Sequence, residues 1–168
     1  MHGVGEQPGG LRACGRMPVT PMDAVTVAIV RLRPGVPLPE YQSDGAAGMD
    51  LSAALDEPIE LRPGERCLVP CGFAIAVPRG YEAQVRPRSG LAANYGLTLL
   101  NSPGTIDSDY RGEVKAVLVN HSNAAFVVTP GMRIAQLVVA PVSRAAWSEA
   151  GALPETERGG GGFGHTGH

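Results

Sequence analysis

Asn101-Ser-Pro-Gly-Thr-Ile-Asp-Ser-Asp-Tyr-Arg-Gly-Glu113 lies between two apolar runs with strand character, Leu97 to Leu100 and Val114 to Val119. A Ser-Pro-Gly turn between such runs predicts a hairpin. Within a dozen residues it also gathers two carboxylates (Asp107 and Asp109), an aromatic (Tyr110) and a cation (Arg111). Two uses fit those residues. Loops rich in Asp, Ser and Gly serve as solvated turns, and the same groups on a hairpin can hold a small polar ligand.

Working outward, strand-like runs recur on both sides. Upstream they cover Ala24 to Leu32, Ala47 to Ala53, Ile59 to Leu61, Arg66 to Val77 and Tyr81 to Val85; downstream they cover Glu113 to Asn120, Ala125 to Val128 and Arg133 to Ala140. Turns such as Arg62-Pro-Gly, Val77-Pro-Arg-Gly and Thr129-Pro-Gly separate several of them, the rhythm of an antiparallel sandwich or barrel. The expected fold class is all-β, an antiparallel sandwich or barrel over residues 24–142. Composition agrees: 23 Gly, 15 Pro and only three Phe in 168 residues favour short strands joined by turns.

One stretch departs from strand patterning. Ser89 to Gly96 starts with an N-cap residue, continues through Leu-Ala-Ala and ends in Gly, which predicts about two helical turns capped by Ser89. Arg86 and Arg88 immediately precede it. Either they flank a capped surface helix as solvated groups, or they place two guanidinium groups beside the helix N-terminus, where a phosphate is favoured.

The ends read differently. Residues 1–23 are Gly- and Pro-rich without periodicity, predicting a disordered N-terminal extension in which Met17 or Met22 competes with Met1 as the start. Residues 143–168 finish in Arg158-Gly-Gly-Gly-Gly-Phe-Gly-His-Thr-Gly-His, too rich in Gly to pack a core. Composition alone predicts a flexible arm. The lone Phe163, beside Arg158 and Thr166, suggests instead a segment that wraps phosphates with backbone N–H groups and lays a ring on a base.

A net charge of −2 offers no global field for nucleic acid or a membrane surface. Cys14, Cys67 and Cys71 lack metal-ligand spacing, and the four His are scattered. Neither a membrane span nor a secretory signal is predicted, so a cytoplasmic protein is expected.

Five separated segments resemble the motifs of one family, the homotrimeric deoxyuridine triphosphatases (dUTPases). They are Ala47-Gly-Met-Asp-Leu-Ser-Ala, Pro87-Arg-Ser-Gly-Leu-Ala, Asn101 to Glu113, Gly131-Met-Arg-Ile-Ala-Gln-Leu and Arg158 to Gly167. The order and spacing match over about residues 24–167. The resemblance implies an antiparallel β-barrel or jelly-roll-like protomer, a trimer whose sites combine motifs of more than one chain, and hydrolysis of dUTP to dUMP and pyrophosphate with Mg²⁺. That activity keeps uracil out of DNA and supplies dUMP for dTMP synthesis.

Residue by residue, the resemblance makes Asp107 the base that activates water. The residues alone leave Asp109 as a competitor. Tyr110 would lie under the deoxyribose and exclude a 2′-hydroxyl. Asn101, Gly104, Thr105 and Ile106 would read uracil, and Lys115 would touch substrate. Arg88, Ser89, Gly90 and Gln136 would cradle phosphates; Arg158, Phe163, Gly164 and Thr166 would close over the nucleotide. Asp50 would act on Mg²⁺ through water, or simply fix the turn after Gly48, and Arg133 would form a structural ion pair. From Val142 to Arg158 an extended chain spans about 50 Å, enough to reach another subunit. His165 departs from the Ser found in many relatives. A dCTP deaminase shares the barrel but carries Arg-Ser-Ser where this chain has Arg88-Ser-Gly, and a nucleotide-binding module without catalysis is the third alternative.

Overall fold

A computed structural model of the chain describes residues 24–162. Eleven strands and one short helix occur among them: β1 (Ala28–Arg31), β2 (Glu40–Tyr41), β3 (Met49–Ser52), β4 (Ile59–Leu61), β5 (Arg66–Ala76), β6 (Tyr81–Pro87), α1 (Ser89–Tyr95), β7 (Leu97–Leu99), β8 (Gly104–Ile106), β9 (Glu113–Asn120), β10 (Phe126–Val128) and β11 (Arg133–Pro141). All pairings are antiparallel. One sheet has the order β1-β5-β9-β7, a second β2-β3-β11-β6-β8, and β10-β4 forms a two-stranded ribbon. The expected all-β class with one inserted helix therefore holds.

Alternation of apolar residues builds the core between these sheets. Along β5, Val69, Cys71, Phe73 and Ile75 are buried, and along β9 Val114, Ala116 and Leu118 meet them. Leu51 and Ala135 supply the facing layer from β3 and β11. Each fully buried Leu, Val or Phe removes enough apolar surface to contribute about 1.5–3 kcal/mol.

Two bulges break the ladders. On β5, Pro70 stands opposite Lys115 but Ala74 stands opposite Glu113, so β5 carries extra residues around Gly72. Gly72 has φ +74°, and a Cβ there would meet Val36 Cγ2 at 2.8 Å and Ala54 Cβ at 2.9 Å, so only glycine fits. On β11, Arg133 stands opposite Ser52 while Ala135 stands opposite Leu51. Because side chains alternate between faces, the extra residue turns Arg133 to the face that carries Asp50 and Gln136. Ile134 is thereby buried.

Two elements were not expected. β8 forms inside the predicted loop, where Gly104, Thr105 and Ile106 pair with Val85, Gln84 and Ala83. β2 pairs Glu40 and Tyr41 with Asp50 and Met49. The helix cap also differs: Arg88, not Ser89, is the N-cap residue, and no side chain caps the helix. The Arg88 carbonyl accepts the Ala92 N–H, which starts the helix one residue early. At the other end Gly96 adopts φ +62° and its N–H reaches the Ala92 carbonyl, as its position predicted.

Residues 143–162 contain neither strand nor helix. Around Arg158 the chain closes a local turn, with Gly159 N–H donating to the Thr156 carbonyl and Arg158 Nε to the Gly161 carbonyl. The expectations for residues 1–23, and for Phe163, Gly164, His165 and Thr166, lie outside the described residues. Among the described residues no helix is long and apolar enough to cross a membrane.

Candidate active site

Two clefts occupy different parts of the domain. The first, about 340 Å³, opens where β8 at the edge of the five-stranded sheet meets β9 and β5 of the other sheet. Its lining includes Asn101, Gly104, Thr105, Ile106, Asp107, Tyr110 and Lys115, so the hairpin stretch does form one concave surface. Asp109 does not line it. Leu68, Val85 and Val114 give it an apolar floor, and Glu113 adds a second carboxylate.

Local packing shapes this hairpin cleft. A Cβ on Gly104 would stand 3.0 Å from Asn101 Nδ2, so glycine leaves room for the amide. The Asp107 carbonyl accepts the Tyr110 N–H at 3.1 Å, which closes the turn carrying both side chains. The Tyr110 hydroxyl donates to the Glu113 carbonyl at 3.0 Å, and a Cβ on Gly112 would run into that hydroxyl. Arg111 turns away: its Nη1 donates to the carbonyls of Ser108 and Tyr110, leaving Lys115 as the cation lining the cleft.

The second cleft, about 310 Å³, lies across the five-stranded sheet and is lined by Gln42, Ala46, Gly48, Asp50, Arg88, Ser89, Gly90, Arg133 and Gln136. Asp50 organises it. One carboxylate oxygen meets Arg88 Nε at 3.2 Å and the other meets Arg133 Nη1 at 2.9 Å, and Arg88 Nη1 also donates to the Arg133 carbonyl. Arg133 is thus ion-paired, as anticipated, but Asp50 holds two guanidinium groups rather than the turn after Gly48. Gln136 Nε2 donates to the Pro87 carbonyl at 2.9 Å. A Cβ on Gly48 would come within 2.7 Å of Gln136 Oε1, so this glycine admits the glutamine into the cleft.

The two guanidinium groups expected beside the helix reduce to one. Arg86 donates through Nε and Nη2 to Gln84 Oε1, a neighbour on its own strand, and does not line the cleft. Successive odd or even positions on a strand share a face, so Gln84 captured it. Arg158 lines neither cleft. Leu68, Val85, Val114, Gln42 and Ala46 line the clefts without having been singled out as site residues in the sequence.

Burial pushes the Cys71 thiol up to about 12, with the nearby Glu113 carboxylate adding to the effect. Such a thiol stays protonated at neutral pH and is a core group, not a nucleophile. Among the described residues no cluster of three or more His, Cys, Asp and Glu could hold a metal ion. Both Asp50 oxygens are engaged by arginines.

Comparisons with known proteins agree with this architecture. The dUTPase family model matches residues 35–167. A deoxyuridine 5'-triphosphate nucleotidohydrolase of Rhizobium leguminosarum bv. trifolii is 58% identical over 146 residues, covering 84% of this chain and 94% of that protein. The protein of the same name from Rhizobium meliloti is 62% identical over 135 residues, covering 79% and 84%. Among solved structures, a mutant dUTPase of Staphylococcus bacteriophage 80alpha with dUpNHpp has a TM-score of 0.77 at 23% identity, covering 85% of this chain and 99% of that one. A mutant dUTPase from phage phi11 of S. aureus, described with a structural Mg(II) ion, has a TM-score of 0.70 at 20% identity, covering 77% and 99%. The fold is shared with the phage enzymes, and on the family match and the identity to the Rhizobium proteins the chain belongs to the dUTPase family of hydrolases.

Proposed function

We propose that this dUTPase hydrolyses dUTP to dUMP and pyrophosphate, with Asp107 activating the water that attacks the α-phosphorus. The observation that carries the assignment is the hairpin cleft, which gathers Asp107, Asn101 and Tyr110 on one surface and leaves Asp109 out. Water adds its oxygen to the α-phosphorus, the bridging bond to the β-phosphate breaks, and pyrophosphate leaves. Asp107 takes the proton that the water loses. Tyr110 lies under the deoxyribose, where a 2′-hydroxyl would be buried against the ring without a partner. Asn101 and the backbone of Gly104, Thr105 and Ile106 complement the edge of uracil, and Lys115 contributes a cation at the same cleft.

The arginine-rich cleft supplies the phosphate grip. Arg88, Ser89, Gly90 and Gln136 bind the chain of phosphates, with Asp50 holding Arg88 in place. Mg²⁺ carried on the triphosphate would supply neutralisation of phosphate charge, and Asp50 is the residue that would hold it, through water. Each protomer's hairpin cleft lacks the phosphate grip, and each arginine-rich cleft lacks a base-reading edge. A homotrimer that sets one beside the other completes the site. Exposed Val30 and Leu100 supply apolar surface for such contacts. The arm then brings Arg158, Phe163, Gly164 and Thr166 over the nucleotide and excludes water. Product dUMP feeds dTMP synthesis, and removal of dUTP keeps uracil out of DNA. The free Cys67 and Cys71 suit a reducing cytoplasm.

Incubating the protein with Mg²⁺ and dUTP, dCTP or UTP, while following pyrophosphate and ammonia, tests this assignment. Pyrophosphate from dUTP alone is expected. Its absence would refute the proposal, and ammonia from dCTP would replace it with a deaminase.

A further inference from the structure

Glu113 opens β9, lines the hairpin cleft and is tied at both its side chain and its backbone. Its Oε1 accepts the Gly72 N–H at 3.0 Å across forty-one positions of sequence. That N–H belongs to the β5 bulge, where the ladder between β5 and β9 is interrupted, so the carboxylate replaces a missing cross-strand acceptor. Gly72 is itself immobilised. Its carbonyl accepts the Leu32 N–H at 2.9 Å, and Val36 and Ala54 close around its α-carbon. On the other side, the Glu113 carbonyl accepts the Tyr110 hydroxyl at 3.0 Å.

A continuous path therefore runs from the core bulge through Glu113 to the ring in the cleft. We infer that Glu113 is a positioning residue for sugar discrimination: by docking the start of β9 on Gly72, it sets the height of the Tyr110 ring beneath the sugar. The inference rests on the assignment of Tyr110 to the deoxyribose. Tyr110 is 43% exposed, so packing alone does not hold it, and the hydroxyl bond to the Glu113 carbonyl sets the tilt of its ring. The carboxylate reaches Gly72 as a hydrogen-bond acceptor, and its charge is not required for that role. Lys115 Nζ, at 3.9 Å from Oε2, is too distant to make a close ion pair.

The test compares Glu113→Gln, Glu113→Asp and Glu113→Ala, reading kcat/KM for dUTP and for UTP in each. Gln keeps an acceptor at the same reach, so its selectivity matches the parent protein. Asp keeps the charge but falls short of Gly72, and with Ala it loses about tenfold in dUTP-over-UTP selectivity, because a small misplacement of a positioning group is costly. Loss of thermal stability without loss of selectivity overturns the inference, as does a Gln variant that loses selectivity while Asp retains it. The Gln and Asp pair decides even where Ala does not fold. Tyr110→Phe, which deletes the hydroxyl, should reproduce the selectivity loss. Tyr110→Ala separates the two levels: if it leaves selectivity unchanged, the sugar assignment itself fails. If it lowers selectivity while the Glu113 variants do not, only the positioning role falls.

Discussion

All but Leu68 and Val85 of the residues lining the hairpin cleft fall between Asn101 and Lys115, whereas the arginine-rich cleft gathers its lining from Gln42 to Gln136. The first is built by one local excursion of the chain. The second exists only because β3, β6 and β11 lie side by side. Under the proposed function the chemistry divides in the same way. Base and sugar are small neutral surfaces that a turn can fit, while several phosphate charges need cations drawn together. Asp50 stands between Arg88 and Arg133, paired to both.

If the division is real, variants in the two clefts separate cleanly. Asp107→Asn is expected to lower kcat for dUTP by at least about 10² while dUTP still binds, since a general base is lost and the donors remain. Asp109→Asn should stay close to the parent rate. Single-turnover rates with calorimetric binding check both, and a loss confined to Asp109→Asn would move the role of base to Asp109.

Arg88→Ala attacks the other cleft and should lower kcat/KM for dUTP by about 10², the scale of one lost charge-stabilising donor. Deoxyuridine, which has no phosphate, should bind the variant as it binds the parent protein. Weakened deoxyuridine binding would erase the boundary between the clefts. Gly48→Ala is a finer probe. Its new Cβ displaces Gln136, whose flexible end can yield, so dUTP affinity should fall by about tenfold, or ~1.4 kcal/mol.

The smallest effect on activity concerns the core beneath the hairpin cleft. Cys71 has its folded pKa raised from 9.0 to about 12, so above pH 9 the unfolded thiol releases a proton that the folded one keeps. Stability from this group is intact below pH 9 and is lost as pH rises toward 12. Its contribution to the unfolding constant grows by at most about tenfold per pH unit in that window. Cys71→Val, which cannot ionise, should flatten that part of the profile in urea titrations at successive pH values. Activity at neutral pH should change little.

Much of the hairpin cleft is legible in the sequence. Ser-Pro-Gly, Asp107 and Tyr110 sit close in sequence, and a turn keeps sequence neighbours close in space. Gly96 likewise announced its left-handed helix cap. What escaped was non-local. β8 is three residues set among turn formers, and only its pairing with β6 makes it a strand. Ser89 satisfies the statistics of an N-cap, yet Arg88 takes the position, its guanidinium tied to Asp50 and to the Arg133 carbonyl. Arg86 carries the same charge as Arg88 and the same proximity to the helix, but bonds to Gln84 along its own strand.

The amino-acid sequence by itself determined the period-two burial, the turns and the five chemical segments, because each depends on residues a few positions apart. Tertiary structure alone decided which faces those strands present. The extra residue in β11 brings Arg133 to Asp50, and the bulge in β5 frees the Gly72 N–H for Glu113. A shift of one residue reverses every side chain beyond it, and the register that selects one face is set by partner strands dozens of positions away.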